Sequence, residues 1–212
     1  MPAAHPAGPP AVRRLGLADY ETVWRDMERF VAERDEHTPD ELWLLQHPPV
    51  YTRGLNCRMS PLRTSTIPVI QTDRGGQITY HGPGQLIVYA LLDIRRRGLG
   101  VRRLVNVLEQ SVIDLLGRYD ITGRRRDKAP GVYVDDRKIA ALGVRIRRGS
   151  SYHGLSLNID MDLGPFADID PCGFEGLEVT QLADLGVQDS VEVVEENLTH
   201  ALLTLLELDG RG

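Results

Sequence analysis

Residues 132–160, VYVDDRKIAALGVRIRRGSSYHGLSLNID, hold three apolar runs separated by two short polar breaks, Asp135–Asp136 and Arg148–Gly149–Ser150. Apolar runs of this kind with turn-forming residues between them read as three strands, VYV, KIAALGVRIR and SYHGLSLNID, joined by tight turns. Strands joined so closely must lie antiparallel, because a parallel pair needs a crossover of about a dozen residues or more. An antiparallel meander in a chain that also carries helices makes the fold class α+β.

Working outward, QLIVYALL (85–92) is apolar on both faces and reads as a strand in the middle of a sheet. Further strands are expected at 67–71 and at Glu41–Gln46, the latter bounded by Pro39 and by Pro48–Pro49. The segment HPPVYTRG (47–54) is expected to leave as a loop. Helical spacing appears three times: from Asp19, a candidate N-cap, to about Glu33; over Val101 to Leu116, with Gly117 where a helix can end; and from about Ser190 to Leu206. Residues 162–180, rich in Pro, Gly and Asp, read as an irregular loop. The 212 residues suit one domain, residues 12–212, behind a Pro/Ala/Gly-biased tail at 1–11 that reads as disordered.

The start, MPAAHPAGPP, has neither the charged nor the apolar region of a signal peptide, and no apolar run approaches the roughly 20 residues of a membrane span. A cytoplasmic protein is expected. Residues 1–150 hold 24 Lys and Arg against 17 Asp and Glu, whereas residues 151–212 hold 1 against 13. Arg runs at 95–97, 102–103, 124–126 and 147–148 either form a basic face for an acidic partner or are simply solvated. The chain has two lysines, Lys128 and Lys138, among 25 basic residues. Arg keeps its proton in a protein while Lys can lose it, so a lysine retained in an Arg-dominated chain is a candidate for chemistry.

Two cysteines are too few for a disulfide framework. Cys172 sits in ADIDPCGFEG, where Pro171 and Gly173 favour a tight turn that exposes the thiol. A nucleophilic thiol needs a positive neighbour, and Asp168, Asp170 and Glu175 act in the opposite sense. An ammonium reaching across from Lys138, at the start of a strand, is the simplest source of that charge. The competing reading is a small buried structural cysteine. Cys57, between Arg53 and Arg58, is a weaker nucleophile candidate.

RGGQITYHGPGQ (74–85) packs four glycines and a proline into twelve residues, which lets backbone approach a ligand closely. Two turns flanking a strand would give the same residues, and neither the Walker nor the dinucleotide spacing is present. Of the histidines, His47, His81 and His153 could line a pocket, and none falls at metal-ligand spacing. His153 shares the parity of Leu155, Leu157 and Ile159 and is expected on the apolar face of its strand. A Cys–His pair with His47 or His81 is the main rival to Cys–Lys.

Taken in order, HPPVYTRG (47–54), RGGQITYHGPGQL (74–86), PGVYVDDRKIAALGVRI (130–146), HGLSLNID (153–160) and DPCGF (170–174) resemble the lipoyl(octanoyl) transferase family. The resemblance covers the chain apart from its N-terminal tail and last helix. It implies a single α+β domain with a mixed, largely antiparallel sheet flanked by helices, similar to the biotin and lipoate protein ligases. It implies transfer of an octanoyl group from octanoyl-acyl carrier protein to a lysine Nε of lipoyl domains, in 2-oxoacid dehydrogenases or the glycine-cleavage carrier protein. Cys172 matches the thioester-forming cysteine and Lys138 the lysine that lowers its pKa. Arg74, Gly75, Gly76, Gln77, Ile78, Thr79, Tyr80 and His81 match a substrate-binding stretch, as do Ala141, Leu142 and Gly143, and Gly154, Leu155 and Ser156. Ser156 departs from the alanine of the pattern. No cofactor, metal, nucleic acid or membrane is implied. The rivals are an ATP-dependent lipoate or biotin ligase on the same fold, a cysteine thioesterase, and a non-enzymatic adaptor using the Arg-rich face.

Overall fold

The computed structural model of the chain describes residues 8–57, 66–127, 129–169 and 177–209. Its elements run β1 (Ala11–Leu17), α1 (Tyr20–Glu33), β2 (Glu41–Gln46), β3 (Val50–Arg53), β4 (Val69–Gln71), β5 (Ile78–His81), β6 (Gln85–Leu91), α2 (Val101–Gly117), β7 (Gly131–Val134), β8 (Arg137–Arg147), β9 (Ser150–Asn158) and α3 (Val191–Asp209). Six strands form one sheet in the order β1-β2-β6-β9-β8-β7, in which only β1 and β2 are parallel. A smaller sheet has the order β4-β3-β5, with β4 parallel to β3 and β5 antiparallel to it. The fold is α+β with a mixed, largely antiparallel sheet, as the meander indicates.

Both meander turns fall at the polar breaks. Asp135 and Asp136 have φ of 44° and 68°, and Arg148 and Gly149 have 53° and 87°. Two successive positive φ values give a turn whose twist matches the flanking antiparallel strands. The central position of β6 explains its unbroken apolar run: all seven residues are buried, because both sheet faces are covered.

On one face lies α1, started by Asp19, whose side chain accepts from the Thr22 amide at 2.9 Å. A cap of this kind contributes about 1 kcal/mol. Val23, Met27 and Val31 of α1 pack on Trp43, Leu45, Ile87, Tyr89 and Leu91. Each such aliphatic side chain, fully buried, contributes about 1.5–3 kcal/mol. On the other face α2 and α3 set Leu104, Leu108, Leu115, Leu198 and Leu202 against Leu44, Leu86, Val88, Leu155 and Leu157. A third cluster, with Tyr51, Ile78, Tyr80 and Phe166, lies against the small sheet. No helix among the described residues is long and apolar enough to cross a membrane.

Four features depart from the sequence reading. Strand β1 was not foreseen: it opens on Ala11, is mostly exposed, and carries Arg13 and Arg14, so an edge position left no apolar alternation. HPPVYTRG is not simply a loop, since Val50–Arg53 forms β3; Val50, Tyr51 and Thr52 are all buried, which hides the two-residue period. His153 does not lie with Leu155, Leu157 and Ile159. Its φ of 58° breaks the strand alternation, and its ring stacks on Tyr152 and meets Tyr89 in the α1-side cluster. The Arg95–Arg97 run is not a surface patch as a whole, because Arg96 and Arg97 converge with Arg34 on the buried Asp40 carboxylate.

Candidate active site

Residues that pair directly across antiparallel strands share a face. The register therefore lines up Ile87, Ser156 and Ala141 in one row, and Tyr89, Gly154 and Gly143 in the next. Ile87 and Tyr89 place both rows on the α1 face. On β8 and β9 these rows carry only Ser, Ala and Gly, so the sheet surface drops into a trough. The RGG loop and β5 roof it: the Gly75 amide donates to Val144 O at 3.1 Å, and a Cβ on Gly143 would stand 2.8 Å from Gly75 O. The cavity they form is partly open to solvent. β8 carries an extra residue between Lys138 and Ala140, so about four strand rises of about 3.4 Å separate Lys138 from Gly143, a length of about 14 Å.

Twelve of the residues that the resemblance implies for substrate binding line this cavity: Arg74, Gly76, Gln77, Ile78, Thr79, His81, Ala141, Leu142, Gly143, Gly154, Leu155 and Ser156. Gly75 and Tyr80 do not. Gly75 is pressed on the β8 backbone, and Tyr80 packs between Tyr51 and Phe166. Tyr20, Ile87, Tyr89 and Asn158 also line the cavity and carried no functional signal in the sequence.

Lys138 stands at one end, 4% exposed. Its Nζ donates to Pro130 O at 3.1 Å and lies 5.3 Å from the centre of the Tyr133 ring. The side chain crosses Gly131, where a Cβ would meet Lys138 Cε at 2.5 Å. Glu109, buried in α2, fixes that turn by accepting from the Gly131 amide at 3.0 Å, and its other oxygen takes Arg125 at 3.0 Å. Glu109 carried no functional signal in the sequence, because its burial depends on how α2 packs.

The backbone of Lys138 bridges Val179 in parallel fashion: its amide donates to Glu178 O and its carbonyl accepts from Thr180 N, both at 2.9 Å. Phe166 and Val179 line the same cavity as Lys138. Cys172 lies between them in sequence, outside the described residues. Cys57 is half-buried against the Tyr51–Tyr80 cluster of the small sheet.

His81 and His153 line the cavity, and His47 packs against His81. His47 Nδ1 faces the Ala18 carbonyl at 2.6 Å and must carry the proton, so Nε2 accepts from Tyr89 Oη at 2.8 Å. Burial pushes its pKa down to about 4 and that of His81 to about 3. His153 Nε2 donates to Asp73 Oδ1 at 3.0 Å, and burial lowers its pKa as well. Burial would raise the Asp73 carboxyl, but bonds from His153 and Tyr152 outweigh it and hold the pKa at about 2. The rings of His47 and His81 have both nitrogens engaged within the fold.

Residues 19–203 match the lipoyl protein ligase A/B catalytic domain family. The chain is 56% identical to an octanoyltransferase of Azoarcus sp. strain BH72, over 97% of this chain and 91% of that protein. It is 57% identical to one of Nitrosococcus oceani, over 92% and 88% of the two chains. In fold it is similar to a crystal structure of lipoate-protein ligase A bound with ATP, at a TM-score of 0.76 and 14% identity, covering 94% of this chain and 86% of that one. The biotin protein ligase of Aquifex aeolicus in complex with biotin and ATP gives 0.57 at 14% identity, covering 93% and 70%.

Proposed function

The chain belongs to the lipoyl protein ligase A/B catalytic family and, within it, to the octanoyltransferases, and on that premise we propose the route its acyl group takes. Octanoyl leaves octanoyl-acyl carrier protein, rests on Cys172 as a thioester, and passes to a lysine Nε of a lipoyl domain. The lipoyl domains of 2-oxoacid dehydrogenases and the glycine-cleavage carrier protein are the acceptors. This is the first step of making protein-bound lipoate from an endogenous acyl chain.

One observation carries the reading: the segment Glu178–Thr180, which begins six residues past Cys172, is hydrogen-bonded on both sides of Lys138 at the head of the trough. Six extended residues span about 20 Å at most, a length that allows the cysteine to reach the ammonium. Lys138 as ammonium favours the Cys172 thiolate. The thiolate attacks the donor carbonyl, the carbon–sulfur bond to the carrier breaks, and the departing thiolate takes a proton from Lys138. The neutral Lys138 amine then accepts a proton from the acceptor's ammonium. The acceptor nitrogen attacks the Cys172 thioester, the new carbon–nitrogen bond replaces carbon–sulfur, and one proton goes to solvent. Cys172 thiolate and Lys138 ammonium are regenerated. The carbonyl arrives already activated as a thioester, so no nucleotide is spent.

The apolar trough supports a medium-length chain, since each buried CH₂ adds about 0.8 kcal/mol until the channel ends. The decisive mixture is purified protein, an apo lipoyl domain and octanoyl-carrier protein without ATP, against a parallel mixture of octanoate and ATP. The reading expects the domain to gain an octanoyl group in the first alone. Acylation only in the second, with pyrophosphate released, would make the chain a ligase.

A further inference from the structure

A line of hydrogen bonds, all pointing the same way, joins the RGG loop to the strand that carries Lys138. Arg74 Nε and a terminal guanidinium nitrogen donate to Thr52 Oγ1 at 3.0 and 2.9 Å. Thr52 Oγ1 lies 3.4 Å from His81 Nε2, and His81 Nδ1 lies 2.7 Å from Gln85 Oε1. Gln85 Nε2 donates to Asn158 Oδ1 at 2.9 Å, and Asn158 Nδ2 donates to Thr180 O at 3.0 Å. Thr180 N then donates to Lys138 O at 2.9 Å. Thr52, Gln85, Asn158 and Thr180 are each no more than 5% exposed.

The chemistry of the ends dictates every polarity between them. Thr180 O is a carbonyl and can only accept, so Asn158 must present its NH₂ there and its oxygen to Gln85. Gln85 must then present NH₂ to Asn158, which the Tyr80 carbonyl 3.3 Å from the same nitrogen reinforces. Its oxygen is left facing His81, so His81 carries its proton on Nδ1. The bare Nε2 accepts a hydrogen bond from the Thr52 hydroxyl, and Thr52 in turn accepts from a permanently charged guanidinium. Bonds aligned in one sense polarise one another and strengthen together.

We infer that Gln85 and Asn158 are positioning residues: through this one-way line they hold the Glu178–Thr180 segment against Lys138, and acyl transfer at Cys172 depends on that hold. Asn158 is the last residue of β9, where the sheet would otherwise end. By capturing Thr180 O it seats the returning chain against β8. His81 is a neutral link of fixed tautomer in this line, not an acid or base. The inference rests on the Cys172 thioester reading and extends it.

The test substitutes two links in the full chain, Asn158→Asp and Gln85→Glu. Aspartate still accepts from Gln85 but sets an oxygen against Thr180 O. Glutamate can no longer donate to Asn158, and its charge favours a second proton on His81. Acylation of Cys172 by octanoyl-carrier protein is followed by intact mass, at temperatures where thermal unfolding shows each variant folded. For both, the rate at saturating donor is expected to fall about 10-fold or more, and for Gln85→Glu, whose residue does not line the cavity, KM stays within about 2-fold, as misplacement of reacting groups produces. Gln85→Glu should also add to the pH profile an ionisation that wild type lacks. A folded variant that acylates within about 2-fold of wild type overturns the inference, because displaced reacting groups cannot keep that rate. Should neither variant fold, the near-isosteric Thr52→Val is read by the same criterion. Wild type is the control on the underlying reading: if it forms no Cys172 adduct, the thioester route itself fails.

Discussion

Lys138 lies across Gly131, and no other residue fits beneath it: a Cβ on Gly131 would stand 2.5 Å from Lys138 Cε and 3.1 Å from its Nζ. Gly131 also has φ 144°, a conformation that L side chains rarely adopt. Gly131→Ala should displace the ammonium and slow Cys172 acylation by about 100-fold, the scale of a misplacement of about 1 Å. Single-turnover acylation measures this, and an unchanged rate in folded Gly131→Ala would separate Lys138 from the thiol chemistry.

Replacing the lysine itself should split the two half-reactions. Lys138→Arg keeps a positive charge but cannot give up its proton. Cys172 acylation should therefore persist at a reduced rate, while transfer to the acceptor lysine falls by about 10²–10⁴-fold, the range of a lost acid–base group. Lys138→Met should lose both steps. Acyl-enzyme formation and lipoyl-domain product, followed by mass in the same reaction, report the two rates. Equal losses in both steps for Lys138→Arg would contradict the proton-accepting role.

The trough should measure chain length by obstruction. Ala141 pairs with Ser156 midway along it. Ala141→Leu places side-chain volume where the acyl chain runs, so transfer of octanoyl should fall by about 10-fold or more while a butanoyl or hexanoyl donor is spared, each excluded CH₂ being worth about 0.8 kcal/mol. Competition among donors of different length is the measurement, and a uniform loss at every length would point away from the trough.

Buried neutral histidines make the fold sensitive to acid. His47 and His81 have folded pKa values of about 4 and about 3. The unfolded chain binds their protons from about pH 6.5 downward, so stability falls as pH drops from about 6.5 toward the folded values, by up to about 1.4 kcal/mol per pH unit for each group. Asp73, held at about 2, adds its own loss below the unfolded carboxylate value of about 3.9. The urea midpoint should drop between pH 7 and pH 5, and His47→Asn should flatten that slope. A midpoint independent of pH in this window would contradict the neutral burial of these rings.

The central strands were legible because burial on both faces, or clean turn chemistry, leaves a local mark: QLIVYALL, the two meander turns and the Asp19 cap each rest on neighbours in sequence. The edge strand β1 left no such mark, since Arg13 and Arg14 face solvent and ion partners where apolar alternation would otherwise show. Lys138 stood out by composition, and Cys172 by its Pro/Gly setting. The trough could not be read, because it depends on which residues pair: Gly143 and Gly154 are eleven positions apart and become a gap in the sheet only through the register of β8 and β9. The same holds for Gln85 and Asn158, ordinary polar residues until β6 and β9 place them side by side. His153 misled the two-residue period through its positive φ, which no neighbouring residue announces.

The central claim, an octanoyl group carried on Cys172, is tested most directly by intact mass after mixing with octanoyl-carrier protein. Wild type and Cys57→Ser should both gain the mass of one octanoyl group, released by neutral hydroxylamine as a thioester is, and Cys172→Ser should gain no hydroxylamine-labile adduct. A labile adduct that survives in Cys172→Ser and disappears in Cys57→Ser would contradict the account.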